Sequence, residues 1–310
     1  MNPDVSVVIL ADYAPGDAGT YNGLRAALRG LANQSFIGAA EFILVESDCL
    51  RDRLPGDLTA VLPALRTVFS GAQDSFSLRN IGVRHATGDI VAFLDADCVP
   101  ERDWLARLVA AFDRKKNIAA VSGRTTYGEG SLLKRTLALF SRAYVDRGDA
   151  GEVRQISNNN AAYRRSILVS HPFPSGVSPF IAALQAGAIM SAGGRLWFEP
   201  RARVVHAYGG WAVEREVSRH AGWATVAIRR GKSNARLSWL LPLGGASIPV
   251  FVFVSLARSW GRLLRLWRCY GLAWYEVPFG FALATAVNLM QIPGMRRALR
   301  GEKITDTLYR

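Results

Sequence analysis

The apolar positions of the first two hundred residues fall into short blocks of two alternating kinds. Val5-Ser-Val-Val-Ile-Leu10 is a nearly unbroken apolar run, the pattern of a strand buried on both faces. Leu24, Leu28 and Leu31 then recur at helical spacing, Gln34 to Gly38 ends that element, and Glu41-Phe-Ile-Leu-Val45 is a second strand block. Strand, helix and strand at this distance predict a parallel βαβ unit. Ala11 to Thr20, with Gly and Pro, predicts a loop. Val61 to Phe69 predicts a further strand, and Asp89-Ile-Val-Ala-Phe-Leu-Asp95 a buried parallel one held between two acids. Trp104, Leu105, Leu108, Val109 and Phe112 fall at helical spacing, with Pro100 and Glu101 suited to the start of that helix. Ile118 to Gly123 reads as a strand, Gly128 to Gly130 as a turn and Leu132 to Tyr144 as a helix. Asp146 to Glu152, polar and Gly-containing, reads as a mobile loop over a site.

The last third changes character. Leu237 to Ala257 is 21 residues without a charge, long enough to span a bilayer, although Pro242, Gly244, Gly245 and Pro249 would interrupt a helix. Arg258 to Arg268 interleaves arginine with Trp and Leu, as interfacial amphipathic helices do. Val277 to Met295 adds 19 uncharged residues, closed by Arg296-Arg297. Arginines flank both apolar segments at both ends, so no clean spanning topology follows. Two buried helices of a soluble core are one reading. A re-entrant or in-plane hairpin on the cytoplasmic leaflet, or a two-span anchor, is favoured over it.

Charge sharpens that picture. The chain carries 38 Lys and Arg against 25 Asp and Glu, and residues 201–310 alone hold 17 against 5. The basic third is also the most apolar, which points to an anionic membrane surface and away from nucleic acid. Cys49, Cys98 and Cys269 are far apart and form no CxxC pair, arguing against a disulfide framework or a structural zinc and for a reducing compartment. Met1-Asn-Pro-Asp has no basic region and Val5 to Leu10 is too short for a signal peptide. No GxGxxG follows the first strand, and neither a P-loop nor a Gly-x-Ser-x-Gly elbow is present.

The chemistry concentrates in Ser77 to Trp104. Asp95-Ala-Asp97 closes a strand at the end where open α/β sheets bind ligands, and magnesium or manganese takes carboxylates together with phosphate oxygens. Alone, Asp-x-Asp serves helix capping equally well. Upstream, however, stand Arg79-Asn80-x-Gly82 and Ala86-Thr87-Gly88-Asp89. These 28 residues in order resemble the central signature of the bacterial, membrane-associated family-two glycosyltransferases.

That resemblance implies a GT-A-like α/β domain over residues 1–210, its central sheet mixed but mostly parallel and flanked by helices. A basic, apolar, helical membrane-associating region would follow over 211–310. It implies inverting transfer of a sugar from a nucleotide diphosphate donor to a membrane-associated or lipid-linked acceptor at the cytoplasmic face of the cell membrane. Asp95 and Asp97 would hold a divalent Mn2+ or Mg2+, with His206 of Val204-Val205-His206 beside metal and diphosphate. Glu46 and Asp48 would face base and ribose, and Arg79 and Asn80 would support the donor pocket with Asp95. Asn159, Asn160 and Arg164, from the Asn158 to Arg165 segment, would line the acceptor side. Read without the resemblance, Arg79 suits a surface ion pair, Asn80 a cap, the three amides a turn before a helix, and a lone His a structural role.

One departure matters. The family places an acidic pair after Phe-Pro, and one of its carboxylates removes the acceptor's proton. Pro172-Phe173-Pro174 is present, and Ala192 to Pro200 matches the family's next strand. The pair's positions hold Ile181 and Ala182, and Ser166 to Trp197 contains no Asp or Glu. Three explanations stand: an already anionic acceptor such as a polyprenyl phosphate; a base from elsewhere, with Glu199, Glu214, His171 and His220 as candidates; or nucleotide-sugar binding without turnover, as in a membrane scaffold.

Overall fold

The computed structural model describes residues 3–10, 20–72, 74–174, 182–231 and 235–304. Its strands are β1 (Val5–Leu10), β2 (Ala40–Ser47), β3 (Leu65–Ser70), β4 (Ile90–Asp95), β5 (Cys98–Pro100), β6 (Ile118–Thr126), β7 (Gly151–Val153), β8 (Asn160–Arg164) and β9 (Arg195–His206). They form one sheet in the order β3-β2-β1-β4-β8-β6-β9-β5, with β7 also on β9. Strands β3, β2, β1 and β4 run parallel; β8 is antiparallel to β4 and β6. Strand β9 returns parallel to β6, while β5 and β7 lie antiparallel to it.

The unbroken apolar run of β1 has its cause in burial on both faces. Val5, Val7 and Ile9 pack with Leu24, Leu28 and Leu31 of the helix Asn22–Ala32. Val8 and Leu10 pack with Phe76, Ile81 and Val83 of the helix Ser75–His85, which Asp74 caps by accepting the Ser77 N–H at 2.9 Å. Register aligns Leu10 with Asp95, so Asp95 ends β4 at the carboxyl edge of the parallel strands.

Several expectations need correction. The helix after Asp-Ala-Asp does not begin at Pro100: Cys98–Pro100 turns back as β5 and pairs Cys98 with His206, and the helix is Trp104–Ala110. The segment Asp146 to Glu152 is no loose loop. Arg124 bonds Asp146 through Nε at 2.7 Å and Nη2 at 3.2 Å, Gly148 N–H donates to Asp146 at 2.7 Å, and Glu152 lies in β7. The three amides lead into strand β8, and only then does the helix Arg165–Ser170 follow. Of the predicted loop Ala11 to Thr20, residues 11–19 lie outside the described residues, as does Ile181.

One core runs across position 210. Leu137, Leu139 and Phe140 of the helix Leu132–Ser141 share one core with Leu263, Leu266, Tyr270, Leu283 and Val287. The Tyr270 hydroxyl donates to Asp146 at 3.2 Å. The helix Ile248–Leu266 runs unbroken across the boundary between the apolar and the basic stretch, and Val277–Leu289 and Ile292–Leu299 follow. The helix Gly210–Gly231 crosses Ile292–Leu299 so closely that a Cβ at Gly294 would strike the Arg219 carbonyl, and one at Gly222 the Gln291 carbonyl.

Gly294→Ala is therefore expected to lower unfolding stability by about 1–3 kcal/mol, since overpacking forces this crossing apart. Gly261→Ala, in a helix where the added methyl meets nothing, is the control and should be neutral or stabilising by up to about 1 kcal/mol. Denaturant midpoints of the two variants measure the difference.

Candidate active site

Helix Ser75–His85 sends Arg79 under the end of β4. Arg79 is 3% exposed; its Nη2 donates to Asp95 Oδ1 at 2.7 Å and to the Asn158 carbonyl at 3.4 Å. Its Nη1 donates to the Ser75 hydroxyl and carbonyl. The next residue, Asn80, clamps the chain at Phe173: Asn80 Nδ2 donates to the Phe173 carbonyl at 2.8 Å, and Phe173 N–H donates back to Oδ1 at 3.0 Å.

Because β5 folds back on β9, Asp97, Cys98 and His206 converge, their ligand atoms all within 4.8 Å of one another and all buried. His206 Nδ1 lies 2.7 Å from the Ala207 carbonyl, so it carries a proton and donates there, and 3.4 Å from Asp97 Oδ2. Burial and the nearby Arg142 charge hold its pKa well below the usual histidine range, so the ring is neutral and Nε2 keeps its lone pair. Burial, then the Asp95 charge, pushes Asp97 up to about 7; burial also raises Asp95 against the opposing pull of Arg79 and Arg142. Two carboxylates that are reluctant to ionise together and a neutral imidazole fit a hard divalent cation of the Mn2+ or Mg2+ kind. Cys98 does not: burial, Asp97 and Asp95 hold its thiol well above the usual range, and it donates weakly to Asp97 instead.

Beside His206 lies a second ring of polar groups. Tyr127 meets His206 edge-on at 5.9 Å between centroids, and its hydroxyl, held protonated by burial, donates to Glu214. Ser141 donates to the other Glu214 oxygen, and Arg142 Nε to the Tyr127 hydroxyl at 3.2 Å. Arg142 faces Asp95, Asp97 and His206 together, and the sequence reading missed it.

A cavity of about 490 Å³ opens from Ser75, Arg79 and Asp95 past Arg142, Asn158 and Asn159 to Ala182 and the tail helices. Of the four base candidates, none lines it. Glu214 joins His206 through Tyr127; Glu199 is paired with Arg201, and His171 contacts the Ser170 hydroxyl. His220 is fully buried, its pKa lowered to about 4 by burial and by Arg219 and Arg297. Two acceptor-side assignments are corrected. Asn160 accepts from the Trp104 indole at 2.7 Å and donates to the carbonyls of Arg124 and Ala202, so it staples strands and does not line the cavity. Antiparallel pairing sets Arg164 opposite Ile90, at the far end of β4 from Asp95. Glu46 is buried at the end of β2, two strands from Asp95, and Asp48 is half exposed and paired with Arg51 at 2.8 Å.

With this geometry in place, likeness to known proteins becomes informative. Residues 20–170 match the model of the family described as Glycosyl transferase family 2. Glycosyltransferase AglE of Haloferax volcanii is 29% identical over 117 residues, covering 37% of this chain and 36% of that protein. The pre-mycofactocin glycosyltransferase of Mycobacterium tuberculosis is 28% identical over 203 residues, covering 61% of this chain and 41% of that protein. The chain thus spans about two fifths of the length of the curated relatives it matches. Among solved structures, a mannosyltransferase from Pyrobaculum calidifontis in complex with GDP-Man and Mn2+ superposes with a TM-score of 0.60 at 19% identity, covering 98% of this chain and 89% of that one. At that identity what is shared is the fold, and the expected GT-A-like α/β class is borne out.

Asp97 must shed its proton to serve a cation. Titration calorimetry of Mn2+ is expected to show affinity rising by about tenfold per pH unit up to about pH 7 and levelling above it. Asp97→Asn should flatten that rise.

Proposed function

Since residues 20–170 make this chain a member of glycosyl transferase family 2, we propose that it is an inverting, metal-dependent transferase that moves a sugar from a nucleotide diphosphate donor to a membrane-associated or lipid-linked acceptor. The observation that carries this reading is the buried cluster of Asp97, Cys98 and His206 beside the Arg79–Asp95 pair at the carboxyl end of β4. A divalent cation held by Asp95, Asp97 and His206 would neutralise charge gathering on the leaving diphosphate. Arg79 holds Asp95 in place through its 2.7 Å bond, and Arg142 adds a fixed positive charge to the same enclosure. The neutral His206 keeps its Nε2 lone pair available to such a cation, and the protonated Tyr127 beside it donates to Glu214. Asn80 steadies the chain at Phe173, which shares a core cluster with Ala182 of the cavity wall.

The membrane part of the reading is supported by the tail. Ser238–Leu266 and Trp274–Leu299 are long and apolar enough to cross a membrane, with mean hydropathies of 2.0 and 1.2. Trp239, Phe253, Trp260, Trp274 and Phe279 stand exposed on them, as aromatic side chains do at a bilayer interface. One observation favours a second reading, a scaffold that binds nucleotide sugar without turnover: Ala182 stands where the family carries an acid.

Titrating uridine and guanosine diphosphate sugars with Mn2+, while following both binding and nucleotide release in the presence of extracted membrane lipids, tests the proposal. Wild type should release nucleotide, and Asp97→Ala should do so at least about 100-fold more slowly. Tight binding without release, whatever lipid is added, would establish the scaffold; no binding to any donor would overturn both readings.

A further inference from the structure

The donor-side cavity does not end at Asp95. It continues between the helices Gly210–Gly231, Ile248–Leu266 and Val277–Leu289, where Arg229, Arg236, Arg258 and Arg262 line it. Among the described residues Asp95, already paired with Arg79, is the one carboxylate in its wall. Among the described residues no carboxylate lies within ion-pair reach of these four arginines. Their hydrogen bonds go to backbone: Arg262 to the Phe140 carbonyl at 3.1 Å, and Arg229 to the carbonyls of Arg236, at 3.1 Å, and Thr225. Gathering like charges in a partly dehydrated space is unfavourable unless an anion joins them. Burial and Arg258 already hold the Arg229 pKa below its ordinary value.

The helix Ile248–Leu266 says what kind of anion. Ser255, Arg258, Ser259 and Arg262, at spacings of three and four, form one polar face in the cavity, and Asn288 donates to Ser259 at 2.9 Å across its floor. The same helix leaves Phe253, Trp260 and Leu264 exposed. Between it and Leu289 runs an apolar groove of about 860 Å³ lined by Ile248, Val252, Phe253 and Leu256. An arginine-lined chamber and an apolar groove served by one helix match a molecule with an anionic head and a hydrocarbon tail.

We infer that this chamber binds the phosphate group of an amphiphilic acceptor, with Arg229, Arg258 and Arg262 as its ligands. The inference rests on the transferase reading above and names its acceptor chemistry. In the step it implies, a phosphate oxygen attacks the sugar's anomeric carbon. The new carbon–oxygen bond forms as the bond to the nucleotide diphosphate breaks, and its electron pair leaves with the diphosphate. The phosphate monoester enters as an anion, so no proton has to be removed from it, and the positions where the family carries its acids can hold Ile181 and Ala182.

The test uses the full chain with a polyprenyl phosphate, the matching polyprenol, inorganic phosphate and phosphatidylglycerol vesicles as probes, beside nucleotide-sugar binding in Mn2+. Arg258→Gln is the first variant, because Arg258 is exposed and makes no hydrogen bond or ion pair among the described residues; Arg229→Gln is the second. Each is expected to weaken polyprenyl phosphate binding about tenfold, the effect of losing one charge-assisted contact, and to leave nucleotide-sugar affinity unchanged. Wild type should bind inorganic phosphate far more weakly than the amphiphile and the polyprenol weakly if at all. Equal binding of polyprenol and its phosphate, displacement by phosphatidylglycerol as effective as by polyprenyl phosphate, or variants that match wild type would each overturn the inference. So would a parallel loss of nucleotide-sugar affinity, which would return the arginines to the donor. Failure of wild type to bind any nucleotide sugar would instead sink the transferase reading itself.

Discussion

The buried ion pair of Arg79 and Asp95 is the constraint to which the surrounding parts answer. Taking both charges out of water is expensive, and such a pair persists only where good geometry and further hydrogen bonds offset the penalty. Both conditions are met. The 2.7 Å bond joins a helix to the last residue of β4, Nη1 also reaches Ser75 and Nη2 the carbonyl of Asn158 just before β8, and only the buried Nε is left without a hydrogen-bond partner among the described residues. Helix, central strand and the return strand are thereby locked at one point. Asp97 stands two residues further along the same chain, so this lock also aims the turn that brings Asp97 and Cys98 to His206. A site of this kind, with its partners fixed before any ligand arrives, stabilises developing charge without reorganising.

Where local pattern and tertiary structure agree, the chain could be read directly. Strands β1, β2 and β4 are buried on both faces, so their runs of Val, Ile and Leu signal them without ambiguity. The Asp-Ala-Asp turn and His206 were legible as motifs, although sequence alone could not show that a three-residue strand pairs Cys98 with His206. Asn160 and Arg164 were misplaced for a different reason. Alternation along β8 and its antiparallel direction decide which face and which end of the sheet each side chain occupies, and neither can be deduced from the segment itself. Arg142 carried no local signal, because a cation near the end of a helix is unremarkable until the fold sets it beside three titratable groups.

The tail illustrates the same limit at larger scale. Its arginines and tryptophans suggest a helix lying on a bilayer, and the outward-facing aromatics agree with that pattern. The spacing of Ser255, Arg258, Ser259 and Arg262 also marks an inward polar face, which has meaning only once the helix packs against Gly210–Gly231. One helix therefore presents two chemistries, and composition averages them into one.

The core shared by the helix Leu132–Ser141 and the tail has a practical corollary for handling the molecule. A shortened version ending near residue 210, cut to escape detergent, would uncover Leu137, Leu139 and Phe140 and strip Tyr270 from Asp146. It would also remove Glu214, leaving the hydroxyls of Tyr127 and Ser141 without their acceptor next to His206. The apolar extension forms part of the cavity's wall, and deleting it would open that cavity to water.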